Sequence, residues 1–199
     1  MMEAFLKAIK GILPKDRIYA DELRTLAWGA DASEYKLKPQ VVLRAADENE
    51  VSRILTLAHE TGLPVTFRAA GTSLSGQAIT DSLLVVCGKE WEGFEVLDGG
   101  DRIRLQPGVV GGRVNEILGA FGRRFTPDPA SVNSAMVGGI VMNNASGMSC
   151  GTHSNSYRML DSVRIVLADG TVLDTSDRDS RAAFVVSHAD FIKRLLALR

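Results

Sequence analysis

The chain has 199 residues, 45% of them hydrophobic and 24% charged, with a net charge of −1 at pH 7. That length suits one domain or one and a half, and a near-neutral chain with no basic stripe argues against a nucleic-acid partner. No apolar run approaches the roughly 20 residues that span a bilayer. Cys87 and Cys150 lie far apart without CxxC spacing, which argues for free thiols in a reducing compartment and against a zinc site.

Residues 1–40 read as a short helix, a second segment with Leu23, Leu26 and Trp28, and a polar approach through Asp31, Ser33, Tyr35, Lys36 and Pro39. Phe5, Leu6, Ile9 and Leu13 share one helical face, and no small-residue cleavage site follows, so a docking helix is expected and not a signal sequence. Val41–Leu43 reads as a strand. Asp47 stands in cap position before a helix over 48–61, whose apolar residues are Val51, Ile54, Leu55 and Ala58. Gly62 ends that helix and Pro64 opens the next strand. The expected result is a strand–helix–strand unit crossing over right-handed onto a parallel pair.

The stretch PVTFRAAGTSLSGQ, residues 64–77, organises the rest. Its β-branched run breaks at Arg68 into small residues, with Gly71 and Gly76 free to take positive φ. Such a turn aims several N–H groups at one point and makes a nest for an anion, which suits a phosphate-bearing ligand.

Further on, Leu83–Cys87 reads as a buried strand. Phe94–Leu97 and Ile103–Leu105 flank Asp98-Gly99-Gly100-Asp101 as a hairpin, and Gly112–Phe121 reads as an amphipathic helix. Two prolines rule out regular structure over Thr126–Ser131. Residues 135–151, AMVGGIVMNNASGMSCG, form a second small-residue stretch, read as a curved loop in which asparagines hydrogen-bond a polar ring. Val163–Leu167 and Val172–Thr175 flank Ala168-Asp169-Gly170-Thr171 as a second hairpin. His188–Arg199 has helical spacing at Phe191, Ile192, Leu195 and Leu196 and stops without a cap, which reads as a chain cut inside an element. Hairpins mixed with one strand–helix–strand unit predict an α+β fold with mixed sheets.

Five motifs in order, PVTFRAAGTSLSGQA, LQPGV, FTPDPAS, VGGIVMNNASG and DSVRIVLADGTVLDT, resemble the flavin-binding domain of the vanillyl-alcohol oxidase / p-cresol methylhydroxylase (PCMH) superfamily. Within it, the chain is most similar to FAD-linked D-lactate dehydrogenases and the glycolate oxidase D subunit. The resemblance implies a PCMH-type fold of two α+β subdomains, present here as its N-terminal portion. It sets a helical extension over 1–37, an incomplete FAD-binding domain over 38–176 and the start of a further helical segment over 177–199.

The implied cofactor is FAD. By motif match it is held by Arg68, Ala69, Ala70, Gly71, Thr72, Ser73, Gly76 and Gln77 at the diphosphate, and by Pro129 and Ser131 near the ribityl and phosphate part. Gly138, Gly139, Asn143, Asn144, Ser146 and Gly147 match the stretch running past the isoalloxazine, and Val163 and Ile165 the strand at the adenine end. Family members with covalent flavin carry His after the loop glycine. This chain has Thr72, so a non-covalent flavin is expected. No catalytic residue and no metal ligand is expected in the chain itself. The implied activity is oxidation of a 2-hydroxy acid such as D-lactate or glycolate in the full protein, with the fragment inactive.

The stretch NNASGMSCGTHSNSYRML further resembles large D-lactate dehydrogenases with an iron–sulfur region later in the chain. The implied location is cytoplasmic, or peripheral to the inner face of the membrane. Two other readings stand beside this one. A nicotinamide dinucleotide domain needs GxGxxG between a strand and a helix; a non-catalytic nucleotide-binding module needs no substrate domain. His59, His153, Cys150, Trp28 and Trp91 read as structural or solvated residues.

Overall fold

A computed structural model describes residues 1–198. The N-terminal region comprises α1 (Met2–Ile9), β1 (Ile18–Tyr19), α2 (Glu22–Ala27), β2 (Val41–Arg44), α3 (Glu48–Thr61), β3 (Val65–Arg68) and β4 (Leu83–Val86). α3 begins where expected. The Asp47 side chain accepts the Glu50 N–H at 2.8 Å, and Gly62 closes the helix at φ 66°.

The four strands form one sheet in the order β1-β2-β4-β3, with β4 parallel to both β2 and β3. This corrects the expected parallel pair: β2 and β3 flank β4 and do not pair with each other. The reason lies in the side chains. Leu83-Leu84-Val85-Val86 is apolar on both faces and is buried along its whole length, as a central strand requires. Val65-Thr66-Phe67-Arg68 carries polar residues on one face and follows Pro64, which suits an edge.

Alternation then divides the burial. Val41, Leu43, Leu83 and Val85 face α1 and α3 in a cluster with Phe5, Ile9, Leu13, Ile54 and Leu55. Val42, Leu84 and Val86 face the other way, under Tyr19 and Trp28. Each fully buried aliphatic side chain contributes about 1.5–3 kcal/mol. Residues 1–37 therefore supply two helices, a short antiparallel strand and part of both faces of this core. Cys87, just past β4, is buried and unpaired, and desolvation pushes its thiol up to about 12.

The middle region contains β5 (Phe94–Leu97), β6 (Arg102–Leu105), α4 (Gly111–Gly119) and α5 (Val137–Met142). β5 and β6 form the expected hairpin, with Phe94 opposite Leu105. Val109, Val114, Leu118 and Val137 make a small core of their own. The helix α5 corrects the reading of Gly138–Gly147 as one loop. Its first N–H groups, from Val137 and Gly138, are taken by the carbonyls of Val109 and Pro107 at 2.8 and 2.9 Å. A side chain at Gly138 would begin 2.6 Å from Pro107 Cβ, so this glycine serves close packing of a helix start.

The last region holds β7 (Arg164–Val166), β8 (Val172–Asp174), α6 (Arg178–Ser187) and α7 (Ala189–Ala197). The second hairpin forms as expected. Its turn is pinned to α3: Ser52 Oγ donates to the Gly170 carbonyl at 2.6 Å and Thr56 Oγ1 to that of Asp169 at 3.1 Å. On the other side, His188 Nε2 lies 3.0 Å from Asp169 Oδ2. α6 lies within the helical segment implied over 177–199 but gives no periodic signal of its own, because Phe184 is its one buried residue. α7 takes the expected helical spacing; Arg199 lies outside the described residues.

Candidate functional site

β3 ends at Arg68, and the chain leaves the sheet into residues 69–82 without entering a helix. Gly71 and Gly76 stand at φ 72° and 70°, in the left-handed region that glycine tolerates. Among the described residues, the amide N–H groups of Ala69, Ala70, Gly71, Thr72, Ser73 and Leu74 have no protein acceptor. Six consecutive free donors on a partly exposed turn are available to a ligand, and anion-binding turns are built from such donors. Within the loop, Ser73 Oγ bonds Gln77 Oε1 at 2.6 Å and accepts the Ser75 N–H at 3.2 Å, which steadies its far end.

Arg68 is engaged by carbonyls outside the loop. Its Nη1 donates to the Ala30 carbonyl at 2.7 Å and to that of Trp28 at 3.3 Å, and its guanidinium carbon lies 5.2 Å from the centre of the Trp28 ring. Desolvation lowers the guanidinium from its usual value, with Asp31 partly compensating. Gly71 sits against this group, and a side chain there would begin 2.5 Å from Arg68 Nε.

The second group of expected residues lies around α5. Gly139 faces open space, with nothing within 4 Å of where a side chain would begin. Asn143 caps the helix C-terminus. Asn144 follows at φ 45°, the left-handed conformation asparagine tolerates, and its Oδ1 accepts the Tyr157 N–H at 3.0 Å. The Ala145 carbonyl accepts Ser156 Oγ at 2.5 Å, and Ser146 Oγ reaches the Asn144 carbonyl at 3.4 Å. Gly147 packs against the Asp128 carbonyl, where a side chain would overlap it, and its own carbonyl accepts Cys150 Sγ at 3.2 Å. Pro129 and Ser131 form a turn whose carbonyls accept Val132 N–H and Ala135 N–H. These residues are thus knitted to one another. No hydrogen bond among the described residues joins them to the loop 69–77.

Ile165 lies in β7 opposite Leu173. Val163 pairs with Thr175 and Leu167 with Thr171 by hydrogen bonds, so the alternation of an antiparallel ladder engages the backbone of Ile165 with β8 as well. Arg164 and Val166 are the residues whose backbone groups face the free edge. His59 and His153 are exposed, and no group of three or more His, Cys, Asp or Glu side chains placed to hold a metal exists among the described residues.

A family of FAD binding domains matches residues 39–176. The chain belongs to this FAD-binding domain family. The domain is 28% identical over 171 residues to the glycolate oxidase subunit GlcD of Escherichia coli (strain K12), covering 84% of this chain and 34% of that one. It is 30% identical over 162 residues to the D-2-hydroxyglutarate dehydrogenase of Haemophilus influenzae, covering 79% and 16%. It is 29% identical over 174 residues to the D-lactate dehydrogenase of Archaeoglobus fulgidus, covering 86% and 38%. The chain therefore spans little more than a third, or less, of the length of these curated relatives.

The fold is that of solved PCMH-type flavoproteins. p-Cresol methylhydroxylase superposes with a TM-score of 0.73 at 14% identity, over 87% of this chain and 35% of that one. 6-Hydroxy-D-nicotine oxidase from Arthrobacter nicotinovorans gives 0.71 at 18%, over 84% and 37%. The nicotinamide alternative falls with the topology: the FAD-binding domain's loop leads into β4, with no helix between.

The free amides and small side chains of 69–77 fit a diphosphate, and the open side of Gly139 fits close approach of a flat ring. Sequence reasoning missed the segment under the loop. Trp28, Ala30, Ala32 and Asp31 all touch it, and their only outward signal is the Asp-x-Ser pattern of a side-chain-closed turn at Asp31–Ser33.

Proposed function

We propose that this chain is the FAD-binding part of a flavoprotein that oxidises a 2-hydroxy acid, with D-lactate and glycolate as the substrate type. The observation that carries the reading is the row of six unengaged amides from Ala69 to Leu74, delivered by an edge strand that pairs parallel with the buried β4. The relatives' names supply the substrate class.

In this reading the amides of 69–74, with Gly76 and Gln77, hold the FAD diphosphate by preorganised dipoles, and Arg68 holds the loop from behind. Pro129 and Ser131 take the ribityl side. Gly138, Gly139, Asn143, Asn144, Ser146 and Gly147 line the ring system, and the strand of Ile165 meets the adenine end. Bound flavin supplies the two-electron chemistry, and the domain binds and orients it. Thr72 offers no imidazole for a covalent link, so the flavin is held non-covalently. We assign no catalytic residue to this chain. No helix among the described residues is long and apolar enough to cross a membrane. The two unpaired cysteines support a reducing, cytoplasmic setting.

The test is a visible spectrum of the purified chain followed by titration with FAD, read as flavin fluorescence. Saturable quenching is expected, and acid precipitation should release all the flavin into the supernatant. Flavin retained in the pellet would overturn the non-covalent assignment. A flat titration, repeated on a longer chain that also stays flat, would overturn the function.

A further inference from the structure

The loop 69–78 is tied at its start, middle and end to one short segment. Arg68 Nη1 reaches the carbonyls of Ala30 and Trp28. The Ala32 N–H donates to the Gly71 carbonyl at 3.0 Å. The Ala78 N–H donates to Asp31 Oδ2 at 3.4 Å. Tyr35 adds an apolar stop, with its ring 3.0 Å from where a Gly76 side chain would begin. The segment is itself closed. Asp31 Oδ1 accepts the Ser33 N–H at 2.8 Å and Ser33 Oγ at 2.5 Å, Ala30 bridges Lys36, and the Leu37 N–H donates to the Gly29 carbonyl at 3.0 Å.

We propose that Trp28–Tyr35 is a positioning element for the phosphate-binding loop, with Asp31 as its keystone. The proposal rests on the reading above that residues 69–77 hold the FAD diphosphate. The matched family region begins at residue 39, so this segment lies outside it.

The mechanism follows from peptide planarity. In a trans peptide the C=O of one residue and the N–H of the next point in opposite directions. The Gly71 carbonyl is committed to Ala32, so the Thr72 N–H is committed to the opposite, open side. The Arg68 carbonyl accepts the Cys87 N–H at 3.0 Å, so the Ala69 N–H points away from β4. The segment thereby sets which way the Thr72 donor faces, and β4 the Ala69 donor, before any ligand arrives, and prior orientation of this kind lowers the cost of binding.

The charges agree with this role. Burial pushes the Asp31 carboxyl up, but the bonds from Ser33 Oγ, Ser33 N–H and Ala78 N–H, with the Arg68 charge, outweigh it and hold it below the usual carboxylate range. The one cation of the loop is thus balanced by an anion behind it, and the loop presents dipoles to the ligand.

Asp31→Asn separates positioning from direct electrostatics. A carboxylate acting directly on a diphosphate repels it, so removing the charge would tighten FAD. A positioning carboxylate does the reverse, because the Asn amide sets a donor against the Ala78 N–H. We expect FAD and ADP affinity each to fall by about tenfold, the loss of one charge-assisted hydrogen bond. The melting temperature of the ligand-free protein should change little.

Amide hydrogen exchange on the ligand-free chain tests the same point without flavin. Exchange at Ala78 and Ala32, the two amides that tie the loop to the segment, should accelerate in Asp31→Asn while Val85 in β4 stays protected. Unchanged exchange at Ala78, or tighter FAD binding by Asp31→Asn, would overturn the positioning role. Equal FAD affinity in the two proteins would overturn it too, and would leave the FAD reading standing. Failure of the unaltered chain and of a longer one to bind FAD would overturn both.

Discussion

The loop after β3 leaves a strand paired with the fully buried β4, whereas residues 143–156 leave a six-residue helix resting on a core of four buried side chains. The first is held by ties to a separate segment, two of them through the side chains of Arg68 and Asp31, with the amides of 69–74 left free. The second is held by its own side chains, with Asn144, Ser156 and Cys150 each bonding backbone within the same stretch. Around it Met142, Met148 and Tyr157 are exposed. One half of the candidate site is therefore stiff before a ligand comes, and the other is a local weave over a thin support.

The largest test of this contrast is core truncation. Leu84→Ala, in the fully buried centre of the sheet, should cost about 2–5 kcal/mol in urea unfolding. Leu118→Ala, in the four-residue cluster, should cost no more than the lower end of that range, about 2 kcal/mol, because a small cluster can collapse around the gap. Equal losses would mean the two halves are supported alike.

Glycine substitutions sharpen the comparison at smaller scale. Gly71→Ala forces a side chain onto Arg68 at a left-handed φ and should cost about 1–2 kcal/mol, with weaker FAD binding, read by thermal melting and titration. Gly139→Ala meets nothing and sits in a helix, where alanine is favoured by about 0.5–1 kcal/mol. It should leave stability level or slightly raised. If it nonetheless weakens FAD, the open side of Gly139 is ligand space; unchanged affinity would take Gly139 out of the site.

The smallest effect is on pH. Asp31 is held below its ordinary value by its hydrogen bonds, and such a group stabilises above its unfolded value of about 3.9 and loses that contribution as pH falls through the folded value. FAD affinity should therefore stay level from pH 8 to pH 5. A tenfold fall within that window would show that a different group governs the loop.

The sequence made the local pieces legible. Apolar periodicity and the Asp47 cap gave α3, the two-faced apolar run gave β4, and Asp-Gly turns gave both hairpins. The row of small residues gave the irregular turn with glycines at positive φ, because glycine and serine report backbone geometry directly. What it hid was long-range. Strand order depends on which strand is apolar on both faces, a comparison between segments and not a local motif. Asp31 reads only as part of a polar approach, while its partner Ala78 lies 47 residues away. α5 was obscured because a glycine pair signals a bend unless Pro107 is known to lie against it.

The sheet order also governs how the chain folds. β2 and β3 are made first, yet neither has a parallel partner until Leu83–Val86 arrives to fill the slot between them. During synthesis, at about 5–20 residues per second, β2 has only β1 to pair with, and the strand–helix–strand segment exists for a time with no parallel ladder. The residues that must close before the ladder forms are those of 69–82. The stretch that would grip a ligand in the finished protein is thus also the tether whose closure times assembly of the sheet, and lengthening it should slow folding more than it lowers stability.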